Sequence, residues 1–373
     1  RCIACHGCLG SPCNLKLSSF RGLERGVYGK NPYSVHLGDY ARTGMNVVQT
    51  TAEWRERGFY PVLSRGGSRA ENVSRSMLTQ MIEAGAEHNT PGFSRKELMP
   101  LYKKRYEHTC PATPESLAAL IDENPAIGMP FGLPALSAKE VDTFRAWVAG
   151  DAPGPTDAQR HRANMVADPA TVRAWEDFFN ANDKRSELVS RYIFDHMFLA
   201  TIVLEESPGD YFRLVRSKTP PGDANQNPPA RVEIIDSPFP YTNPYKYAGV
   251  ERFYYRLQKV TEPRVQKNHF VWELDKGHIE HLQKLFLDRD WGNRAKLDGP
   301  EGAPWDLGNP FRVYQAIPVE ARYQFLLENS ELIVSGITYG PVCLGQTATY
   351  AVKDQFWVFF VDPKYDVSVR DPK

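Results

Sequence analysis

Cys2-Ile3-Ala4-Cys5-His6 opens the chain and decides how the rest of it is read. Two thiols three positions apart match the two vinyl groups of one porphyrin, and a histidine directly after the second offers its imidazole to the iron. This is the spacing that attaches a c-type haem. A redox Cys-x-x-Cys dithiol is expected near a βαβ pattern, and a zinc site needs a second Cys or His pair at ligand spacing. Neither fits the sequence downstream. Cys8 and Cys13 lie close by, so a four-cysteine metal knuckle is the competing reading, and the position of His6 favours haem.

Working outward, residues 1–155 read as a mostly α-helical, cytochrome c-like domain with a long insertion. Its clearest second piece is Gly128-Met129-Pro130-Phe131-Gly132-Leu133-Pro134-Ala135-Leu136-Ser137. The Ser137 and Glu140 pair predicts a capping box, Val141, Phe144, Trp147 and Val148 an apolar face, and Gly150 a stop. A methionine in a Pro/Gly-rich loop before such a helix is where cytochromes c commonly supply the second axial ligand, and a soft thioether favours Fe(II). Met129 is therefore expected opposite His6, the alternative being a side chain that fills a gap under the loop. His36 and His88 compete for the same role, whereas Met77 and Met81, on a helix expected over residues 71–84, read as core. Cys8 and Cys13 are expected to form a local disulfide, with Cys110 and Cys343 left over.

The chain has 373 residues, enough for two or three domains, and its 45 basic and 45 acidic residues cancel. No polyanion partner is implied, so nucleic acid is excluded as the expected ligand, and no nucleotide cofactor is called for. The apolar runs at residues 192–204 and 356–361 are too short or interrupted to span a hydrocarbon core of about 30 Å, which points to a soluble or peripheral protein. Covalent haem with six cysteines fits an oxidising compartment, in a bacterium the periplasm. The chain begins one residue before the motif without a leader, so a longer gene product is expected.

Residues 156–373 read as a mixed α+β domain. Asp168 caps a helix starting at Pro169, and a second helix is expected over residues 184–203 with Leu188, Tyr192, His196 and Leu199 near one face. Strands are expected at 211–216, 231–235, 252–260 and 269–274, and a loop at 219–230. A helix over 276–288 carries His278 and His281 with Glu280 between them, read as a solvated polar face rather than a metal clasp. Another helix begins at Pro318, and residues 356–361 read as a strand buried on both faces. His196 is expected to be a satisfied core histidine. Arg213, Arg216, Arg252 and Arg256 are the candidates for a phospholipid phosphate, against surface ion pairs as the ordinary account.

An electron carrier needs only the first domain, so some two hundred further residues ask for another role. Arg1-Cys2-Ile3-Ala4-Cys5-His6-Gly7-Cys8 with Ser11-Pro12-Cys13-Asn14-Leu15-Lys16-Leu17 resembles the haem segment of the fatty acid cis/trans isomerases. The resemblance continues through Thr51-Ala52-Glu53-Trp54-Arg55, Gly58-Phe59-Tyr60-Pro61-Val62-Leu63, residues 128–136, Leu188-Val189-Ser190-Arg191-Tyr192 and Phe212-Arg213-Leu214-Val215-Arg216-Ser217. Gly249-Val250-Glu251-Arg252, Tyr254-Tyr255-Arg256 and Gly340-Pro341-Val342-Cys343 complete it.

The resemblance implies a periplasmic enzyme that converts cis double bonds in phospholipid acyl chains to trans through a haem, with peripheral membrane contact. Cys2, Cys5, His6 and Met129 are the cofactor residues, and His6 acts catalytically through the iron. Family members extend further at the C-terminus, so the second domain is expected to be incomplete. The competing class is a periplasmic electron-transfer cytochrome whose second domain binds a redox partner; a haem-based sensor is a third. An acyl-width groove reaching the haem favours the isomerase, and an exposed haem edge favours the electron carrier.

Overall fold

The computed structural model describes residues 2–7, 11–28, 48, 50–89, 110–235, 252–262, 271–292, 312–338 and 361–365. Helices dominate the first half, and most begin where a Ser or Thr side chain caps the first turn. Helix α1 (Phe20–Arg25) takes its N-cap from Ser19 and ends at Gly26, whose φ of 81° lets the backbone turn directly into strand β1 (Val27–Tyr28). A Cβ on Gly26 would lie 1.8 Å from the Tyr60 carbonyl oxygen. Helix α2 (Thr51–Glu56) opens on a Thr50/Glu53 capping box and leads into β2 (Phe59–Tyr60), which pairs antiparallel with β1.

The helix expected over 71–84 is two helices, α3 (Arg69–Arg75) and α4 (Met77–His88). Ser76 between them is extended at ψ 111°; its hydroxyl donates to the Asn72 carbonyl at 2.6 Å and accepts from the Ser64 N–H at 2.8 Å. Those two bonds tie the corner to the Ser64 segment, while the Ser76 N–H reaches the Val73 carbonyl at 3.4 Å and the Ser76 carbonyl accepts from Gln80 at 3.1 Å. Helices α5 (Pro114–Glu123) and α6 (Ala138–Ala149) follow, the second with the expected Ser137/Glu140 box and Gly150 stop. Leu15, Leu23, Val27, Val62, Met77 and Leu117 form one buried cluster, with Met81 and Trp147 against it, so Met77 and Met81 are core as expected.

Helix α7 (Asp157–Asn164) precedes α8 (Pro169–Phe179), capped by Asp168, and α9 (Lys184–Met197). Helix α9 stops earlier than expected because residues 201–204 become strand β3 (Thr201–Leu204). Strands β4 (Phe212–Ser217), β5 (Tyr254–Lys259) and β6 (Val271–Leu274) complete a four-stranded mixed sheet in the order β5-β4-β3-β6, with β3 and β6 parallel. The strand expected at 231–235 is reduced to a single bridge from Ile234 to Ser217, and 219–230 is a loop.

Helix α10 (Lys276–Leu282) widens into a π-turn at Gln283–Leu287, which buries Leu285 and Phe286. Helices α11 (Val319–Glu328) and α12 (Ser330–Thr338) follow. Trp175, Phe179, Tyr192, Ile193, Phe212 and Phe325 belong to one large buried cluster between helices and sheet. The chain is thus mixed α+β. No described helix is long and apolar enough to cross a membrane. The expected strand at 356–361 lies outside the described residues except for its last position, as do Cys8, His36 and Cys343.

Candidate functional site

Cys2–Ala4 forms one 3-10 turn, and the Cys2 carbonyl accepts from the N–H groups of Cys5 and His6 at 3.2 and 2.9 Å. Cys2 and Cys5 are exposed free thiols one turn apart, whereas His6 is buried. The imidazole is held from a second segment: its Nδ1 meets the Leu15 carbonyl oxygen at 3.0 Å, and its own carbonyl accepts from the Leu17 N–H at 2.7 Å. A carbonyl only accepts, so Nδ1 carries the proton and the ring lone pair lies on Nε2. That is the tautomer of a histidine that binds metal through Nε2 while an outer partner fixes its ring. The Ser18 hydroxyl adds a bond to the Gly7 carbonyl, and the buried Ser11 hydroxyl shares the Leu15 carbonyl. Two exposed thiols and one oriented imidazole are a donor set that fits a c-type haem.

Met129 is half-buried in the loop before α6. The loop lies backbone to backbone on α4: the Met129 N–H donates to the Met81 carbonyl at 2.7 Å, and a Cβ on Gly85 would lie 2.0 Å from the Met129 carbonyl oxygen. Only glycine at 85 permits that approach. The Asn89 amide donates to the Gly128 and Pro130 carbonyls at 3.3 and 3.1 Å, fixing the loop from the end of α4. Leu15, which orients His6, and Met81, which anchors Met129, thus pack on the same apolar cluster. His88, the competing ligand, closes α4 in its last turn.

A family model described as fatty acid cis/trans isomerase matches residues 42–373. The chain belongs to that family. It is therefore an isomerase by family, and fatty acids are its substrate class. The matched stretch begins after the Cys2–His6 turn, so the family and the thiol-histidine site are separate observations. No curated protein and no solved structure matches the chain.

Several expectations for this isomerase are corrected by its structure. Cys13 pairs with Cys110, not with Cys8. Cys13 packs on the Leu15 cluster, and Cys110 lies just ahead of the Thr113 cap of α5, whose Leu117 joins that cluster; packing, not closeness in sequence, selects the partner. The arginines are mostly not on the surface. Arg256 is fully buried, with Nε donating to Glu176 at 2.8 Å and its Nη atoms to the carbonyls of Thr219, Pro220 and Ala230. It closes the 219–230 loop and has no phosphate role. Arg216 is buried over the Phe194 ring at 4.2 Å and reaches Asp195 at 3.3 Å; Tyr314 also donates to Asp195. Arg252 is exposed and lies over Tyr254.

His278, His281 and His196 each have local partners. His278 accepts the Asp275 N–H at 3.1 Å and so completes the cap of α10, while His281 pairs with Glu328 at 2.9 Å. Among the described residues no three metal-ligating side chains converge. His196 Nδ1 donates to the Tyr192 carbonyl at 2.7 Å in the core, and burial lowers its pKa against the opposing pull of that bond and Asp195. A groove of about 650 Å³ runs between β6, α10 and the α11–α12 corner, lined by Trp272, Leu274, Leu282 and Leu332. None of its lining residues belongs to the Cys2–His6 turn or the Met129 loop.

The sequence reading missed a cluster of charges beside the thiol-histidine turn. Lys16 forms an ion pair with Glu262, three residues past the end of β5, and the charge of that carboxylate opposes the lowering of the Arg21, Arg25 and Arg213 pKa values by burial. Lys16 between Leu15 and Leu17 was the available signal: a cation inside an apolar run points away from the face its neighbours bury.

Proposed function

We propose that this isomerase converts cis double bonds in the acyl chains of membrane phospholipids to trans at a c-type haem attached to Cys2 and Cys5 in the periplasm. The observation that carries the reading is His6, buried and oriented through Nδ1 so that Nε2 bears the lone pair an iron takes. Bound there, a haem would supply an iron-porphyrin centre able to withdraw electron density from a nearby C=C and return it, with no net redox change.

The chain's own residues have three tasks. The Leu15 carbonyl holds the proton on Nδ1; Gly85 and Asn89 hold the loop from which the Met129 thioether would be offered to the iron; and the Leu15, Met77 and Leu117 cluster keeps water from that side. Ile3, between the thiols, and Leu133, in the Met129 loop, are exposed apolar side chains suited to lipid contact.

The test is incubation of haem-loaded, full-length protein with vesicles of a cis-monounsaturated phospholipid, followed by gas chromatography of the acyl chains. Trans product that disappears in His6→Ala is the expected result, and a loaded sample that makes none defeats the reading. Met129→Ala is expected to keep the covalent haem while changing its absorption and potential; unchanged values remove Met129 from the ligands. The exposed thiols also suit an electron carrier, which would cycle reversibly with a redox partner and leave the lipid unaltered.

A further inference from the structure

Two hydrogen bonds hold His6, and both come from peptide planes that meet at Lys16. The Leu15 carbonyl, which accepts from the imidazole at 3.0 Å, belongs to the plane that ends at the Lys16 Cα. The Leu17 N–H, which donates to the His6 carbonyl at 2.7 Å, belongs to the plane that begins there. A peptide plane moves as a unit, so displacing or turning Lys16 re-aims both groups at once.

Lys16 is itself fixed from two directions. Leu15 and Leu17 pack on the apolar cluster of the first half, and Leu15 is extended at φ −75° and ψ 113°, which turns the Lys16 side chain the opposite way. Its main chain lies against α1, where a Cβ on Gly22 would come within 2.3 Å of the Lys16 carbonyl oxygen. Its ammonium pairs with Glu262, three residues past the end of β5 and 246 positions along the chain.

That pair differs from the rim pairs Arg75–Glu115 and Lys284–Glu280, whose side chains are more than half exposed. Lys16 and Glu262 are 12% and 28% exposed, so solvent and salt screen them less. The strand end that carries Glu262 is anchored in turn: the Val260 N–H donates to the Tyr211 carbonyl at 2.8 Å, and Lys259 pairs with Asp210 at 2.6 Å.

We infer that Glu262 is a positioning residue for the iron ligand: through Lys16 it ties the peptide planes that hold His6 to the sheet of the second half. It touches neither lipid nor iron, and its role rests on the haem reading of His6. A metal-binding imidazole takes its ring orientation and basicity from its outer partner. Here that partner is a backbone carbonyl, and the Lys16–Glu262 pair is the side-chain contact that sets where the carbonyl points. Glu262 lies inside the stretch matched to the isomerase family and Lys16 lies before it, so the pair couples the matched region to the thiol-histidine turn.

Exchange of the Leu17 amide is the first readout, because it needs no haem. In full-length protein Lys16→Met and Glu262→Gln are each expected to speed it about tenfold, and the double variant no further; Lys16→Arg is expected to keep the native rate. Lys259→Met breaks the neighbouring Lys259–Asp210 pair and is expected to leave Leu17 protected. In haem-loaded protein the reduction potential is expected to move in the same pattern. Leu17 exchange unchanged in both single variants, additive in the double, or raised equally by Lys16→Arg or Lys259→Met overturns the tie. A potential that stays fixed while Leu17 loosens overturns the role at the iron. The expected exchange pattern in a full-length chain that takes up no haem defeats the haem reading and keeps the tie.

Discussion

The two halves of the chain keep their order by different means. From residue 166 onward one continuous apolar cluster of twenty-eight buried residues joins α8, α9, the sheet and α11, and it absorbs a fully buried Arg256–Glu176 pair. Before residue 153 the described residues offer two small clusters of four and six. What the first half lacks in apolar burial it replaces with capping boxes, the Ser76 corner, a disulfide and backbone contacts such as Gly85 on Met129. Small cores need staples, and a prosthetic group packed on the Leu15 cluster would be another. The half that carries the proposed chemistry is thus the half least able to hold itself.

The sharpest way to break this contrast is to remove the Cys13–Cys110 bond. It closes a 97-residue loop, for which the chain-entropy account gives about 4.7 kcal/mol. The Cys13→Ser, Cys110→Ser double variant is expected to lose amide protection over residues 11–152 while the 166–325 cluster keeps its own. Equal loss in both halves would refute the contrast. Next, Glu176→Gln leaves Arg256 buried without a charge partner and is expected to cost about 3–5 kcal/mol in urea unfolding. That loss should fall on the second half.

Gly85→Ala is expected to cost about 1–3 kcal/mol, because the added Cβ meets the Met129 carbonyl. In haem-loaded protein it should also change absorption if Met129 binds iron; an unmoved spectrum argues against the ligand. The smallest effect is a pH dependence in the second half. His196 has a pKa lowered by burial, so its neutral form contributes stability that is fully present above the unfolded value of about 6.5 and is lost as pH falls from there through the lower folded value. Thermal unfolding between pH 7.5 and 5 is expected to show that decline, and His196→Gln should flatten it.

What the sequence made legible is what short-range chemistry decides. The Ser137/Glu140 and Asp168/Pro169 starts follow from side chains that cap their own helices, and both are present. The π-turn after α10, the break at Ser76 and the loss of the 231–235 strand depend on partners farther away; Ser64, twelve residues off, completes the Ser76 corner. Arg256 was misread for the same reason: its carboxylate is eighty residues distant on α8. At the candidate site, Cys2, Cys5 and His6 declare themselves by spacing. The group that sets the tautomer of His6 is a backbone carbonyl, and any residue at position 15 has one.

The cysteine connectivity imposes a sorting problem on biosynthesis. Cys2 and Cys5 are thiols while Cys13, a few positions along, is oxidised to a partner 97 positions away. Closing a short loop costs less entropy than closing a long one, so in an unfolded chain Cys13 meets its neighbours before it meets Cys110. The native bond therefore wins only after the Leu15 cluster has assembled, or after the neighbouring thiols have been consumed. Maturation of this chain has an order, and shuffling by thiol exchange is the route back from a wrong first pairing.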